Sequence, residues 1–210
     1  MSEALRDQDS GREEDGNARL RRLADFFHEA GMLRHTPRSG YRFLGSGRES
    51  VAEHSHRAAI IGYALARLTG ADPARTALLC LFHDLAEART GDLNYVQQLY
   101  CTAGEERALA DATAGTGLEE DILGFHAEFE ARGTPEAVLA KDADQLDLIL
   151  NLKRESDLGN PYAAKWLENA LPRLRSARAR ELAEVIRSTD HTDWWFLGQN
   201  PDWWSERKRG

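Results

Sequence analysis

Cysteine is scarce in this chain, with Cys80 and Cys101 as the two among 210 residues. Two cysteines cannot build the disulfide framework of a small secreted domain, so we expect both thiols to be reduced. Long apolar runs are also lacking, and no stretch approaches the roughly 20 residues that a membrane-spanning helix needs. The sequence therefore predicts a cytoplasmic protein with no membrane partner.

Basic charge is in deficit as well. Asp and Glu number 35 against 27 Lys and Arg, which gives a formal net charge of −8. A general grip on nucleic acid needs a basic face, so we expect a small-molecule substrate and no nucleic-acid partner. The glycine-rich phosphate loop of P-loop proteins is missing too, which excludes P-loop kinase chemistry.

Alternating β-strand patterns are absent, whereas apolar residues recur at helical spacing, so the predicted class is all-α. Hydrophobic residues make up 41% of the chain and charged residues 30%, which is ordinary for one folded domain. We place that domain at residues 18–195, between a polar, flexible tail at 1–17 and a C-terminal tail at 196–210. Four tryptophans near the C-terminus either pack over the bundle or face a partner: Trp194, Trp195, Trp203 and Trp204.

Capping residues and breakers set the predicted helices. Ser50 with Glu53 three residues later forms a capping box, and Asp72 or Thr134 followed by proline is typical of a helix start. Gly91 is the expected stop of the helix that begins at Pro73. The remaining predicted helices span 18–30, 51–68, 93–101, 105–112, 118–131, 135–157, 161–174 with a bend near Pro172, and 176–188.

The strongest chemical signal is the pair His83-Asp84, which ends an apolar run beginning at Leu79. Burying an imidazole and a carboxylate without compensation is costly, and a divalent metal that accepts nitrogen and oxygen ligands is the usual compensation. Glu87 lies three and four residues further along a helix, over the same face, and Asp92 follows just past the helix end. These four polar groups are therefore expected to converge.

Other polar residues allow two interpretations each. His54, in the first turn of its helix, is either a lone histidine satisfied by backbone or a ligand. The long helix at 135–157 carries Asp142, Asp144 and Asp147 among apolar residues on more than one face, and periodicity alone does not say which acid points inward. The glycine-rich loop at 34–48 carries four arginines, which are either solvated side chains or binding groups for an anion.

Several of these residues form a recognisable pattern. Glu49-Ser50-Val51-Ala52-Glu53-His54 precedes His83-Asp84-Leu85-Ala86-Glu87 and Thr90-Gly91-Asp92, and Asp144 follows in a later helix. Over residues 20 to 190 the chain resembles the HD-domain metal-dependent phosphohydrolases, within them the 5'-deoxynucleotidase branch. A bare His-Asp pair would be weak evidence, whereas four ordered ligand positions with the Glu and Thr-Gly-Asp extension are specific.

The resemblance implies an HD-domain helical bundle in which His54, His83, Asp84 and Asp144 hold one divalent transition metal, drawn from Co, Mn, Zn, Ni and Fe. It selects Asp144 over the two other acids of that helix. It also gives Glu87 the role of catalytic proton-transfer group, with the alternative that Glu87 only orients a ligand histidine. A homodimer is expected by the same resemblance.

On the substrate side, the resemblance implies that Arg38 binds phosphate and that Asp92 contacts the sugar with a part in catalysis, or else merely caps the following helix. Tyr41 stands where relatives carry tryptophan, and is expected to contact the nucleoside. Arg48 and Lys141 are secondary phosphate candidates.

The implied reaction is hydrolysis of deoxyribonucleoside 5'-monophosphates to deoxyribonucleoside and phosphate. Two alternatives stay open. The site could act on another small phosphoester, a phosphodiester or a nucleoside polyphosphate, or the chain could be a catalytically silent nucleotide-binding module.

Overall fold

The computed structural model describes the backbone of residues 3–196 and the side chains of residues 15–194. This part of the chain is built from helices and contains no β-strand, apart from one isolated bridge between Pro37 and Ser50. The all-α prediction is thereby confirmed. The α-helices are α1 (Glu3–Ala30), α2 (Tyr41–Leu44), α3 (Val51–Thr69), α4 (Pro73–Phe82), α5 (Glu87–Thr90), α6 (Tyr95–Gln98), α7 (Glu105–Thr113), α8 (Glu119–Ala131), α9 (Pro135–Asp157), α10 (Pro161–Ala170), α11 (Ala177–Ser188) and α12 (Asp193–Phe196).

The predicted helix starts are confirmed by their caps. Ser50 accepts a hydrogen bond from the backbone N–H of Glu53 while the Glu53 carboxylate accepts from the Ser50 N–H, as a capping box requires. Asp72, Thr134 and Asn160 likewise accept hydrogen bonds from backbone N–H groups in the first turn of a helix that begins with proline. These caps fix where α3, α4, α9 and α10 begin.

One predicted helix is wrong: α4 ends at Phe82 and does not run on to Gly91. The His83 ring supplies the reason, because its Nδ1 lies 2.7 Å from the Cys80 carbonyl oxygen that the next helical N–H would otherwise use. The backbone then tightens, and the Leu85 N–H donates to the Phe82 oxygen three residues back. A new turn, α5, carries the chain to Gly91 in a left-handed region at φ 73°.

Smaller differences concern the ends of elements. Helix α1 begins at Glu3, whereas a helix was predicted only from Ala18, and its residues 15–20 are exposed. The helix predicted at 93–101 is reduced to the single turn α6. The loop at 34–48 includes the end of a 3-10 turn, Gly31–His35, and the short helix α2.

The core has a main part around α9 and a smaller part near α1. Buried residues of α3, α4, α9, α10 and α11 make most of the main cluster, and Phe26, Leu33, Val51 and Leu109 are among the second. Helices α3 and α4 approach closely, since a Cβ built on Gly62 would lie 2.6 Å from the Cys80 sulfur. This close approach brings the start of α3 and the end of α4 to one side of α9.

No helix in the described part of the chain is long and apolar enough to cross a membrane. Trp194 is exposed, whereas the side chains of Trp195, Trp203 and Trp204 lie outside the described residues. The predicted boundaries of the domain and its two tails stay predictions.

Candidate metal centre

Four side chains from three parts of the main bundle face one another. His54 comes from the first turns of α3, His83 and Asp84 from the turn after α4, and Asp144 from the middle of α9. The Nε2 atoms of the two histidines are 3.2 Å apart, and an Asp84 oxygen lies 3.1 Å from His83 Nε2 and 3.5 Å from His54 Nε2. An Asp144 oxygen lies 3.4 Å from His54 Nε2.

Hydrogen bonds behind the rings decide which nitrogens face this spot as acceptors. His54 Nδ1 is 2.8 Å from an Asp147 oxygen, and His83 Nδ1 is 2.7 Å from the Cys80 carbonyl oxygen. Both partners accept hydrogen bonds, so both Nδ1 atoms carry the proton in the neutral rings and both Nε2 atoms present lone pairs.

Two lone pairs and two carboxylates in close contact repel one another unless a cation lies among them. Two imidazole nitrogens with carboxylate oxygens are a donor set that suits Zn, Mn, Co, Ni and Fe. His54, His83 and Asp144 place one such donor atom each within 4.8 Å of one another, and Asp84 adjoins them. The residues therefore fit a divalent metal ion.

Two cations border the acidic side of the centre. Lys141 Nζ lies 3.1 Å from Asp144, and Arg38 Nη1 lies 3.2 Å from Asp84. Burial alone would raise the pKa of Asp144, but Lys141 and the two imidazoles hold it well below its usual range. Burial and the Arg38 charge act to lower the pKa of His54, but hydrogen bonds to Asp144 and Asp147 raise it to about 10. The metal-free ring therefore carries a second proton on Nε2, which a bound metal ion would displace to use the lone pair.

Glu87 stands beside the centre, at the start of α5. Its Oε2 is buried without a hydrogen-bond partner among the described residues. Burial, with the charges of Asp84 and Asp92, raises the pKa of Glu87 to about 9. Glu87 also lines a cavity of about 300 Å³, which Gln98 and Glu105 border from the next two helices. It is therefore a protonated acid at neutral pH between the candidate metal centre and an open space.

Arg38 and Asp92 meet on the same side. The Asp92 carboxylate accepts a hydrogen bond from the backbone N–H of Ser39, and its other oxygen lies 3.8 Å from Arg38 Nη1. The cap of α6 is Asn94, so the alternative that Asp92 merely caps that helix is wrong. Asp92 instead holds the loop that carries Arg38.

Tyr41 and Arg48 are the remaining candidates. The Tyr41 ring packs against Gly47, where an added Cβ would lie 2.8 Å from it, and it joins the rim of the main core. Burial and the Glu49 charge raise the pKa of Tyr41. Arg48 is exposed. Contact of Tyr41 with a nucleoside stays a prediction.

The sequence does not by itself identify the residues that support the His54 ring from behind. Asp147 is one of three acids that periodicity leaves as alternatives, and Arg57, which donates a hydrogen bond to Asp147, is not among the predicted site residues. A signal was present, because Arg57 follows His54 and Asp147 follows Asp144 at the same spacing of three residues, which places each pair on one helix face.

Known proteins resemble this chain at the level of both sequence and fold. The HD domain family model matches residues 30–185. A 5'-deoxynucleotidase HDDC2 from Danio rerio is 28% identical over 191 residues, which cover 81% of this chain and 95% of the relative. Its Homo sapiens counterpart is 28% identical over 144 residues, covering 66% and 70%.

Solved structures share the fold of this chain. A conserved hypothetical protein from Pyrococcus furiosus superposes with a TM-score of 0.66 at 30% identity, covering 79% of this chain and 99% of that one. A predicted metal-dependent phosphohydrolase from Magnetospirillum magnetotacticum, at 24% identity and a TM-score of 0.64, covers 81% and 94% and shares the fold. The chain belongs to the HD domain family.

Proposed function

We propose that this protein is a metal-dependent phosphohydrolase that acts as a 5'-deoxynucleotidase. One observation carries the proposal: two Nε2 lone pairs and two carboxylates meet at one spot, with the Arg38 guanidinium 3.2 Å from Asp84 at its edge. A metal-binding donor set beside a phosphate-binding group is what hydrolysis of a phosphomonoester needs. Relatives at 28% identity named 5'-deoxynucleotidase narrow the substrate to a deoxyribonucleoside 5'-monophosphate.

His54, His83, Asp84 and Asp144 would hold one divalent ion. When bound, the ion supplies Lewis acidity toward phosphate oxygens and a water of lowered pKa. Arg38 binds the phosphate, because a guanidinium donates two parallel hydrogen bonds to it. Arg38 lies among the carboxylates of Asp84, Asp92 and Asp144. Its guanidinium is therefore next to the candidate metal centre, where the phosphate of the substrate would bind.

Glu87 is the proton-transfer residue for the leaving 5'-oxygen. A carboxyl that is protonated near neutral pH is suited to give its proton to the leaving 5'-oxygen as the P–O bond breaks. The proton that the attacking water loses goes to the phosphate product or to solvent, and solvent then reprotonates Glu87. The nucleoside occupies the cavity lined by Glu87, Gln98 and Glu105. Asp92, which lies 3.8 Å from Arg38, accepts a hydrogen bond from the sugar.

Phosphate release from a panel of substrates tests the proposal. The purified protein is stripped with a chelator and reloaded separately with Co²⁺, Mn²⁺ or Zn²⁺. We expect turnover of deoxyribonucleoside 5'-monophosphates, slower turnover of their ribonucleotide counterparts, and none before reloading. Preference for a nucleoside polyphosphate, a phosphodiester or a sugar phosphate would reassign the substrate, and tight deoxynucleotide binding without turnover in any metal form would identify a silent binding module.

We also propose that the protein works in the cytoplasm as a homodimer. Family resemblance supports the dimer, and two cysteines that are not bonded to each other are in keeping with a reducing compartment. Sedimentation velocity on the full chain measures the oligomeric state.

A further inference from the structure

A buried charged network lies behind the His54 ring, on the Nδ1 side that faces away from the other metal-binding donors. Asp147 on α9 is fully buried, and both of its carboxylate oxygens have partners. One oxygen is 2.8 Å from His54 Nδ1, and the other accepts a hydrogen bond from Arg57 Nε. A buried carboxylate with both oxygens used is strongly fixed in orientation.

Arg57 is itself held from two sides. Its Nη2 lies 3.0 Å from Glu49 Oε1 and 3.4 Å from the backbone oxygen of Asp147. The same Glu49 oxygen accepts a hydrogen bond of 2.9 Å from Asn151, which stands one turn beyond Asp147 on α9. The network thus leaves α9 at Asp147 and returns to it at Asn151.

Glu49 also connects the network to the loop of Arg38. The backbone N–H of Arg38 donates to the Glu49 carbonyl oxygen at 2.9 Å. The side chain of Glu49 therefore faces Arg57 while its main chain anchors the residue that points at Asp84. One residue ties the support of His54 to the position of Arg38.

We propose that Asp147, braced by Arg57 and Glu49, is a positioning residue that fixes His54 as the Nδ1–H tautomer and so aims the Nε2 lone pair at the metal. The proposal rests on the metal-binding part of the proposed function and is independent of which phosphoester is hydrolysed. Carboxylates behind a ligating imidazole fix its tautomer and raise its basicity, and losing such a partner commonly costs about 10- to 100-fold in metal affinity.

Asp147→Asn separates this role from simple packing. The amide keeps the size of the side chain but has a single acceptor oxygen, whereas His54 Nδ1 and Arg57 Nε both need to donate to residue 147. One of the two donors must then oppose an NH₂ group. If Arg57 keeps the oxygen, His54 loses the reason to carry its proton on Nδ1.

The chain offers a matched control on the same helix. Asp142 is also buried, but its oxygens accept from the backbone N–H groups of Arg175 and Ser176 at 2.7 and 2.8 Å and have no contact with His54 in the described structure. Asp142→Asn removes a buried carboxylate from α9 without touching the metal centre. A loss shared by both variants would be a general effect on the helix.

The experiment measures Co²⁺ affinity by competition with a chelator, and the Nδ1–H hydrogen bond of His54 by ¹H–¹⁵N NMR of the protein loaded with diamagnetic Zn²⁺. We expect Asp147→Asn to bind Co²⁺ about 10- to 100-fold more weakly and to shift or lose the hydrogen-bonded Nδ1–H signal, while Asp142→Asn keeps both and Asp147→Glu recovers part of the affinity. Folded Asp147→Asn with wild-type affinity, or an equal loss in Asp142→Asn, would overturn the proposal.

If Asp147→Asn does not fold, Arg57→Met serves instead, because the Arg57 side chain is 39% exposed and its loss frees Asp147 without removing it. A fall in Co²⁺ affinity at unchanged ring packing supports the proposal, and unchanged affinity contradicts it. A wild-type protein that binds Co²⁺ yet releases no phosphate would refute the proposed function and leave this inference standing.

Discussion

The candidate site has two sides that are built differently. The metal side, defined as His54, His83 and Asp144, comes from α3, the end of α4 and α9, and all three residues are buried. The substrate side, defined as Arg38, Glu87 and Asp92, comes from a loop, the single turn α5 and the residue after Gly91. Ligands of a metal are thus set in the main core, whereas groups for the substrate stand on short connecting elements.

The two sides also differ in how completely their polar groups are hydrogen-bonded. On the metal side each imidazole has a fixed partner behind it. On the substrate side Glu87 Oε2 has no partner among the described residues, and Arg38 is shared among three carboxylates. Preorganised ligands favour metal binding, while unsatisfied polar groups beside a cavity are completed by a bound molecule. The comparison indicates that the metal side is preorganised without substrate, whereas the polar groups of the substrate side gain their remaining partners when a molecule binds.

Asp84→Ala should produce the largest effect, because Asp84 joins the two sides by contacting His83 and Arg38. We expect loss of metal binding in a chelator-competition assay and loss of phosphate release at every metal concentration tested. Asp111→Ala, at an exposed position on α7, is the control and should behave as wild type. Retained metal and retained turnover in Asp84→Ala would mean that the two sides are not parts of one centre.

Glu87→Gln should sharpen the comparison by affecting one side alone. The amide keeps the shape of the side chain but cannot transfer the proton, so kcat should fall by about 10²- to 10⁴-fold. Metal affinity should change little, since Glu87 is not among the converging donors. Glu106→Gln, exposed on α7, provides the control. A variant that turns over at the wild-type rate would remove Glu87 from proton transfer.

Much of the metal side could be predicted from the sequence, because its elements are long and their ends are marked by local chemistry. Ser50, Asp72 and Thr134 act on backbone groups within one turn, so a reader of the sequence sees cause and effect together. An acidic and an imidazole group at the end of an apolar run, His83-Asp84, indicates burial in the same way. Such signals need no knowledge of distant contacts.

The rest depends on contacts between remote residues. Asp147 and His54 are 93 positions apart. The periodicity of α9 does not distinguish the acid that contacts His54 Nδ1, Asp147, from the acid that contacts His54 Nε2, Asp144. The end of α4 at Phe82 follows from a side-chain hydrogen bond of His83 to its own helix, which overrides helical propensity. Resemblance to a family, and not periodicity, selected Asp144.

The smallest predicted effect concerns the stability of the metal-free protein. Burial, then Asp84 and Asp92, raise the pKa of Glu87 to about 9 in the folded state, against an ordinary value of about 4.3 when unfolded. Between these values the folded chain binds a proton that the unfolded chain has released, so this group lowers stability as pH rises. Arg38 opposes the shift and Glu105 adds to it.

Glu87→Gln lacks this titration, so the free energy of unfolding of the metal-free variant should exceed that of wild type by a margin that grows between pH 5.5 and 8.5. We expect the margin to grow by at least about 1 kcal/mol across this range, because a proton held by the folded chain alone lowers its stability by up to about 1.4 kcal/mol per pH unit. Denaturant titrations of both proteins at each pH measure it, with Glu106→Gln as the exposed control. A margin that does not change with pH would mean that Glu87 is solvated, and the substrate side would then be as fully satisfied as the metal side.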